Sequence, residues 1–198
     1  MISDEKTIEY YNEHASVFAE GTIDVAFSEI QDRFLAYLPE GAKILDFGCG
    51  SGRDTKYFLS KGYRVDATDG SEKICEIAGH NTGIPVKKML FTELDADSCY
   101  DGIWACASIL HLPKSELKDV LIRMLRAVKP GGYIYTSFKY GDFEGIRDGR
   151  HFTDFTEEAF RTFARDIPGL EIVDVRISAD VRPGRSERWL NLILKRAT

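Results

Sequence analysis

Three observations predict an α/β fold built around a mostly parallel, buried sheet. Short apolar segments alternate with longer segments of helical periodicity, the most apolar of the early ones runs straight into Gly48-x-Gly50-x-Gly52, and a carboxylate, Asp69, closes the next. The chain has 198 residues, of which 43% are hydrophobic and 12% aromatic, enough for one substantial core and short for two, so residues 1–198 are expected to form a single domain.

In chain order, residues 4–20 read as a helix carrying Tyr10, Tyr11 and Phe18. Residues 24–38 read as a second, with Phe27, Ile30, Phe34 and Leu38 at helical spacing behind an Asp24 cap. Strands are expected at 43–47, 63–68, 86–91, 101–105 and 133–138, each largely apolar, as strands buried on both faces are. Helices fill gaps at 54–61, at 71–78 behind Ser71, and at 114–128, where Leu117, Leu121, Leu125 and Val128 share a face and Lys129-Pro130-Gly131-Gly132 stops the chain. A polar loop follows residue 139, then a helix near 156–165. Two strands at 170–178 and 188–195, joined across Pro183-Gly184, are spaced to pair as a hairpin.

The glycine turn carries the chemistry. Glycine lets the chain reverse tightly at the end of a strand and bring its amides against a ligand. A dinucleotide pyrophosphate is normally cradled by G-x-G-x-x-G, whereas this chain reads G-x-G-x-G, which suits a nucleoside without phosphates. Asp69 stands 23 positions after Asp46, near the offset at which a carboxylate meets ribose hydroxyls; Asp69-Gly70-Ser71 also suits a plain turn and helix cap. Asp46, inside an apolar strand, needs buried partners and is expected to orient the glycine loop through its amides and to help hold a ligand's amino group.

Charge and cysteine usage narrow the function further. The net charge is −6, with 15 basic and 21 acidic side chains in residues 1–138 and 11 of each in 139–198, so no basic stripe favours a large nucleic acid. The N-terminus is polar and acidic, and the apolar run near 103–110 is far shorter than the ~20 residues of a membrane span, which predicts a cytoplasmic protein without membrane contact. Cys49, Cys75, Cys99 and Cys106 form no C-x-x-C pair and read as buried free thiols, with neither zinc nor disulfides.

Residues 44–52, Asp69, 100–112 and 125–138 resemble the successive signature segments of class I S-adenosylmethionine-dependent methyltransferases. More narrowly, Ser51-Gly52-Arg53-Asp54, residues 103–112 and 137–141, and Gly149-Arg150-His151-Phe152-Thr153 resemble small bacterial tellurite-resistance-like methyltransferases. The resemblance implies a Rossmann-like, seven-stranded sheet of order 3-2-1-4-5-7-6 with the seventh strand antiparallel and helices on both faces. It implies S-adenosyl-L-methionine as cofactor and S-adenosyl-L-homocysteine as product. It would divide the chain into an N-terminal helical lid (1–40), a cofactor-binding core (41–138) and a substrate-side part (139–198).

Carried over by residue, Gly48, Cys49 and Gly50 would pass beside the methionine and ribose, with Asp46, Gly52 and Arg53 completing the loop. Asp69 and Gly70 would meet the ribose, and Ala107 the sulfonium. The family often places an acid after the third strand for the adenine amino group. Met89 and Leu90 stand there instead, so adenine would be held between apolar side chains and by the Leu90 amide, with Glu93 the fallback acid. Core packing accounts for Met89-Leu90-Phe91 equally well. Tyr11 and Phe18 would close a lid, although aromatics at that spacing also serve ordinary packing.

Methyl transfer needs an aligned acceptor more than a dedicated triad, since positioning alone supplies roughly 7–11 kcal/mol. His111, after the fourth strand, is the candidate general base, or else a residue that orients its loop. Lys139, Arg150 and His151 stand near the expected mouth and suit an anionic group, as do Arg182, Arg185 and Arg188 with Trp189; solvated charges paired with nearby acids are the alternative. A small-molecule methyltransferase acting on nitrogen, oxygen, sulfur or a chalcogen is the leading expectation. An RNA- or protein-modifying methyltransferase and a non-catalytic cofactor-binding regulator are the alternatives, and the glycine spacing opposes a nicotinamide oxidoreductase.

Overall fold

The strand expected at 43–47 is the third of a seven-stranded sheet, flanked on both sides by parallel strands. The computed structural model describes residues 3–182 and 184–198, with side chains from Lys6 onward. Its strands are β1 (Lys43–Phe47), β2 (Arg64–Asp69), β3 (Val86–Lys88), β4 (Tyr100–Ala105), β5 (Val128–Lys139), β6 (Glu144–Arg147), β7 (Arg150–Thr153), β8 (Leu170–Ala179) and β9 (Arg188–Arg196). The large sheet runs β3-β2-β1-β4-β5-β9-β8, and β9 is antiparallel to both its neighbours. This is the order that the resemblance implied, with β6 and β7 forming an additional hairpin of their own. The α-helices among the described residues are α1 (Ser3–Glu13), α2 (Ala15–Glu20), α3 (Ser28–Leu35), α4 (Arg53–Ser60), α5 (Glu72–Thr82), α6 (Lys114–Ala127) and α7 (Glu157–Ala164).

Period-two alternation splits the core into two layers. Leu45, Phe47, Ile103 and Ile134 turn to the face covered by Leu117, Leu121 and Met124 of α6 and Phe160 of α7. Ile44, Trp104, Tyr135 and Ile193 turn to the other, against Ile30 and Phe34 of α3 and Phe58 of α4. Both faces being covered explains why these strands read as continuous apolar runs.

Several boundaries differ from the sequence expectation. The first helix breaks at His14, which leaves helical geometry at φ −110°, ψ 14°. The second begins only at Ser28, after Phe27 rather than behind an Asp24 cap. The third strand stops at Lys88 because Leu90 N–H bonds the Glu93 carboxylate at 2.8 Å, folding Phe91–Glu93 into a single 3₁₀ turn. Residues 144–153 form the β6–β7 hairpin where a loop was expected. Helix α6 passes directly into β5 at Val128, and Gly131 takes up the irregular start of that strand with φ 78°. Cys99 is exposed, contrary to the expectation of four buried thiols, whereas Cys49 and Cys75 are buried and Cys106 half-buried; all four are free.

One buried carboxylate joins the layers. Asp54 accepts from Gln31 Nε2 of α3 (2.7 Å), from Arg53 Nε and Nη2 (2.7 and 2.9 Å) and from Trp104 Nε1 of β4 (2.8 Å). Trp104 stacks on Tyr135 of β5 at 3.9 Å, and Tyr135 Oη donates to Asn191 Oδ1 of β9 at 2.8 Å. Replacing Asp54 with Ala strands these donors, and the loss expected in urea unfolding is about 3–5 kcal/mol, the usual cost of breaking a buried charged pair. A change below about 1 kcal/mol would show that Asp54 carries no such role.

Candidate functional site

A cavity of about 400 Å³ opens where the carboxyl ends of β1, β2, β4 and β5 meet α1 and α2. That volume lies within the range of small-molecule sites. Its floor is the glycine turn. Gly48 has φ 83°, and a Cβ there would stand 2.5 Å from the Ser108 Cβ. Gly52 also has φ 83°, and a Cβ there would meet Thr82 Cγ2 at 2.6 Å. Gly48 therefore shapes the cavity floor, whereas Gly52 lets α4 pack against the end of α5 and does not itself line the cavity.

Asp69 ties the turn to the next strand. Its Oδ2 accepts from Gly50 N–H at 3.1 Å and its Oδ1 from Ser71 N–H at 3.0 Å, while Ser71 caps α5 through Ile74 N–H. Burial raises Asp69 to about 6 against these amides, which favour its charged form. A carboxylate offers about four lone-pair positions, so two amides leave it free to accept from hydroxyls in the cavity.

Asp46 belongs behind this wall. It does not line the cavity, and its Oδ2 accepts from Thr55 Oγ1 at 2.6 Å rather than from the glycine-loop amides. Burial and then the facing Asp54 push it up to about 8. Cys49, Gly50, Arg53, Asp69, Gly70, Met89, Leu90 and Ala107 all line the cavity. Met89, Leu90 and Phe91 form an apolar slot, but the Leu90 amide is already taken by Glu93, which is exposed and outside the cavity. Neither is therefore free to serve adenine as the sequence suggested. Ala107 holds φ 49°, unusual without a glycine, and donates its N–H to Ser137 Oγ at 2.9 Å.

The N-terminal helices close the top. The Phe18 ring comes against Gly50, Tyr11 meets Phe18 edge-on at 5.1 Å, and Asn12 Oδ1 accepts from Ser71 Oγ at 2.6 Å. His111 lies beneath Tyr11. Its Nδ1 faces the His151 carbonyl at 2.7 Å and must donate to it, leaving Nε2 to accept from Tyr11 Oη at 2.9 Å. Burial lowers His111 to about 4, and Arg150 adds to the effect, so the ring is neutral at pH 7 and its one lone pair is occupied. His111 thus orients Tyr11; it is not poised as the general base the sequence suggested.

Lys139, Arg150 and Arg185 all line the cavity, with Arg53 and Arg182. Four of these five cations are paired: Arg53 with Asp54, Arg182 with Asp180, and Lys139 and Arg185 with Glu187 at 3.3 and 3.5 Å. Sequence reading missed Phe27, which is stacked under the Arg53 guanidinium at 4.4 Å, and Asn191. An asparagine in the apolar run of β9 was the available signal for the second.

A family model described as a methyltransferase domain matches residues 44–132. The matched segment, a little under half of the chain, runs from β1 into β5, and the sheet order is that of a Rossmann-like methyltransferase fold. An uncharacterized methyltransferase of Staphylococcus carnosus is 24% identical over 180 residues, covering 86% of both chains. An S-adenosyl-L-methionine-dependent Diels-Alderase of Talaromyces variabilis is 28% identical over 137 residues, covering 61% of this chain and 46% of its own, so this chain spans about half the length of that relative. In fold, the domain superposes on the Burkholderia thailandensis 1,6-didemethyltoxoflavin-N1-methyltransferase, solved with S-adenosylhomocysteine, at a TM-score of 0.83 and 22% identity, over 98% of this chain and 89% of that one.

Asp46 supplies a test of the geometry. With a folded value near 8 against an ordinary 3.8, its buried protonated form stabilises the fold fully at low pH, and that contribution is lost as pH rises from about 4 through about 8. Asp46→Asn keeps an acceptor for Thr55 but cannot ionise. Its stability relative to the parent, from urea unfolding at a series of pH values, is expected to improve steadily over that window; a difference independent of pH would place Asp46 among ordinary ionised carboxylates.

Proposed function

We propose that the protein is a methyltransferase that binds S-adenosyl-L-methionine in this cavity and methylates a small-molecule acceptor. The observation that carries the reading is the Asp69 carboxylate, bonded to Gly50 N–H at the cavity floor beneath Tyr11 and Phe18. The residues fit the cofactor: Asp69 has acceptor positions for vicinal ribose hydroxyls, Met89, Leu90 and Phe91 offer apolar walls to a purine, and the Gly48–Gly50 backbone leaves room beside Ala107 for the methionyl part. When bound, the cofactor supplies an electrophilic methyl group on a sulfonium.

The protein's own residues then align and enclose. Tyr11 and Phe18 cover the floor and exclude water, and α1 and α2 act as the lid over a cofactor core at 41–138, whereas α3, which the 1–40 division assigned to the lid, belongs to the core. Segment 139–198 supplies the acceptor side through Lys139, Arg150, Asp180 and Trp189. His111 acts through Tyr11 as a positioning residue. Its occupied lone pair and lowered basicity favour catalysis by alignment over proton removal.

A small acceptor is supported by the modest size of the cavity, about 400 Å³, and by the net charge of −6, which disfavours a polyanion. Among the described residues no helix is long and apolar enough to cross a membrane, and with four free thiols we place the protein in the reducing cytoplasm. The second reading is a cofactor-holding protein that transfers no methyl group, favoured by the Diels-Alderase name of the Talaromyces relative.

Incubation with methyl-labelled cofactor and a cell extract separated into metabolites, RNA and protein decides among these. Label is expected in the metabolite fraction. Label confined to RNA or protein would overturn the choice of acceptor, and cofactor binding with no transfer to any fraction would favour the second reading.

A further inference from the structure

Arg150 differs from every other cation of the cavity. Arg53, Lys139, Arg182 and Arg185 each meet a carboxylate, whereas Arg150 has no acidic partner among the described residues. Its guanidinium lies 4.4 Å from the Tyr10 ring centre, 5.2 Å from that of Phe152 and 5.7 Å from that of Tyr11. Nη1 reaches Tyr11 Oη at a long 3.4 Å, and Nε is buried with no hydrogen-bond partner.

An arginine clamped among aromatic rings keeps its charge and its planar fork while losing much of its hydration. Leaving such donors without an acceptor is costly. The rest of this wall offers no compensation. Glu187 is shared by Lys139 and Arg185, so that cluster also keeps one positive charge in excess, and Asp180 and Asp54 are each saturated by arginine and tryptophan donors. The acceptor side is therefore cationic, with the fork of Arg150 unengaged by any acid.

We propose that the acceptor is an organic anion whose carboxylate or phosphate group is bound by Arg150, making Arg150 the residue that selects charged over neutral acceptors. This rests on the methyltransferase reading above. Lys139 and Arg185, held by Glu187, contribute a general positive field rather than a direct grip. The aromatic setting of Arg150 favours acceptors with a flat apolar body attached to the anion.

Benzoate and phenyl phosphate, with benzamide as the neutral isostere, serve as probes of the protein already saturated with S-adenosylhomocysteine. The Nε–H resonance of Arg150, assigned by its loss in Arg150→Lys, reports directly on the guanidinium, and calorimetry reports affinity. Both anions are expected to shift that resonance and bind at millimolar concentration or better, benzamide to do neither, and Arg150→Lys to weaken the anions by about tenfold, because lysine keeps the charge but not the two-pronged guanidinium fork. An Arg150 resonance that moves on adding S-adenosylhomocysteine and not on adding either anion would assign the fork to the cofactor's own carboxylate and overturn the proposal. So would equal affinity for benzoate and benzamide, or no response to either anion. Failure of S-adenosylhomocysteine itself to bind would instead overturn the methyltransferase reading and the proposal with it.

Discussion

The buried carboxylate of Asp54 is the constraint on which both the fold and the cavity depend. It sits at the first turn of α4, immediately after the glycine turn, and gathers donors from α3, α4 and β4 into one point. Through Trp104, Tyr135 and Asn191 the same network reaches β9 and, by Asn191 Nδ2, the Arg176 carbonyl and Ser178 Oγ of β8. A charge placed there is tolerable only because each lone pair is met. Its effect also spreads to Asp46, which burial and this neighbouring charge hold protonated. The helix that follows the glycine turn is thus anchored by a polar knot in the core, while the turn itself is held by its glycines and Asp69.

Above that knot, the cavity is assembled from both ends of the chain. Asp69 fixes Gly50 from the sheet side, and Tyr11, Asn12 and Phe18 fix the lid from the N-terminal side. His111 links the two because its ring bonds the His151 carbonyl of the β6–β7 hairpin on one edge and Tyr11 on the other. Moving the lid away would break the Tyr11 contact and leave a neutral imidazole facing the cavity. Lid position and the environment of His111 are therefore coupled by one hydrogen bond.

Much of this was legible in the chain and some of it was not, for physical reasons. The parallel strands, the Ser71 cap and the late hairpin announce themselves because each is decided locally, by apolar runs or a cap three residues from its amide. The β6–β7 hairpin does not, since four-residue strands with few apolar residues, Glu-Gly-Ile-Arg and Arg-His-Phe-Thr, carry no strong alternation. Strand β3 ends early through a local bond from Leu90 N–H to Glu93, which apolar pattern cannot register. Phe27 reads as a helix residue by spacing, yet it stands just before α3, outside helical geometry, and meets Arg53 because tertiary contact outweighs periodicity. The role of Asp54 depends on Gln31 and Trp104, 23 and 50 positions away, and no window of sequence contains all three. In the site, the glycine turn and Asp69 were legible as a nucleoside cradle; the pairing of each cavity cation, and so the distinctness of Arg150, was not.

Asp69 and the Gly48–Gly50 turn act together as a nucleoside site in this account, and a calorimetric titration of the protein with S-adenosylhomocysteine tests that most directly. Saturable one-to-one binding is expected, weakened by about tenfold or more in Asp69→Ala, because the ribose then loses its charged acceptor. Absence of binding, equal affinity in Asp69→Ala, or binding of NAD in place of S-adenosylhomocysteine would contradict it.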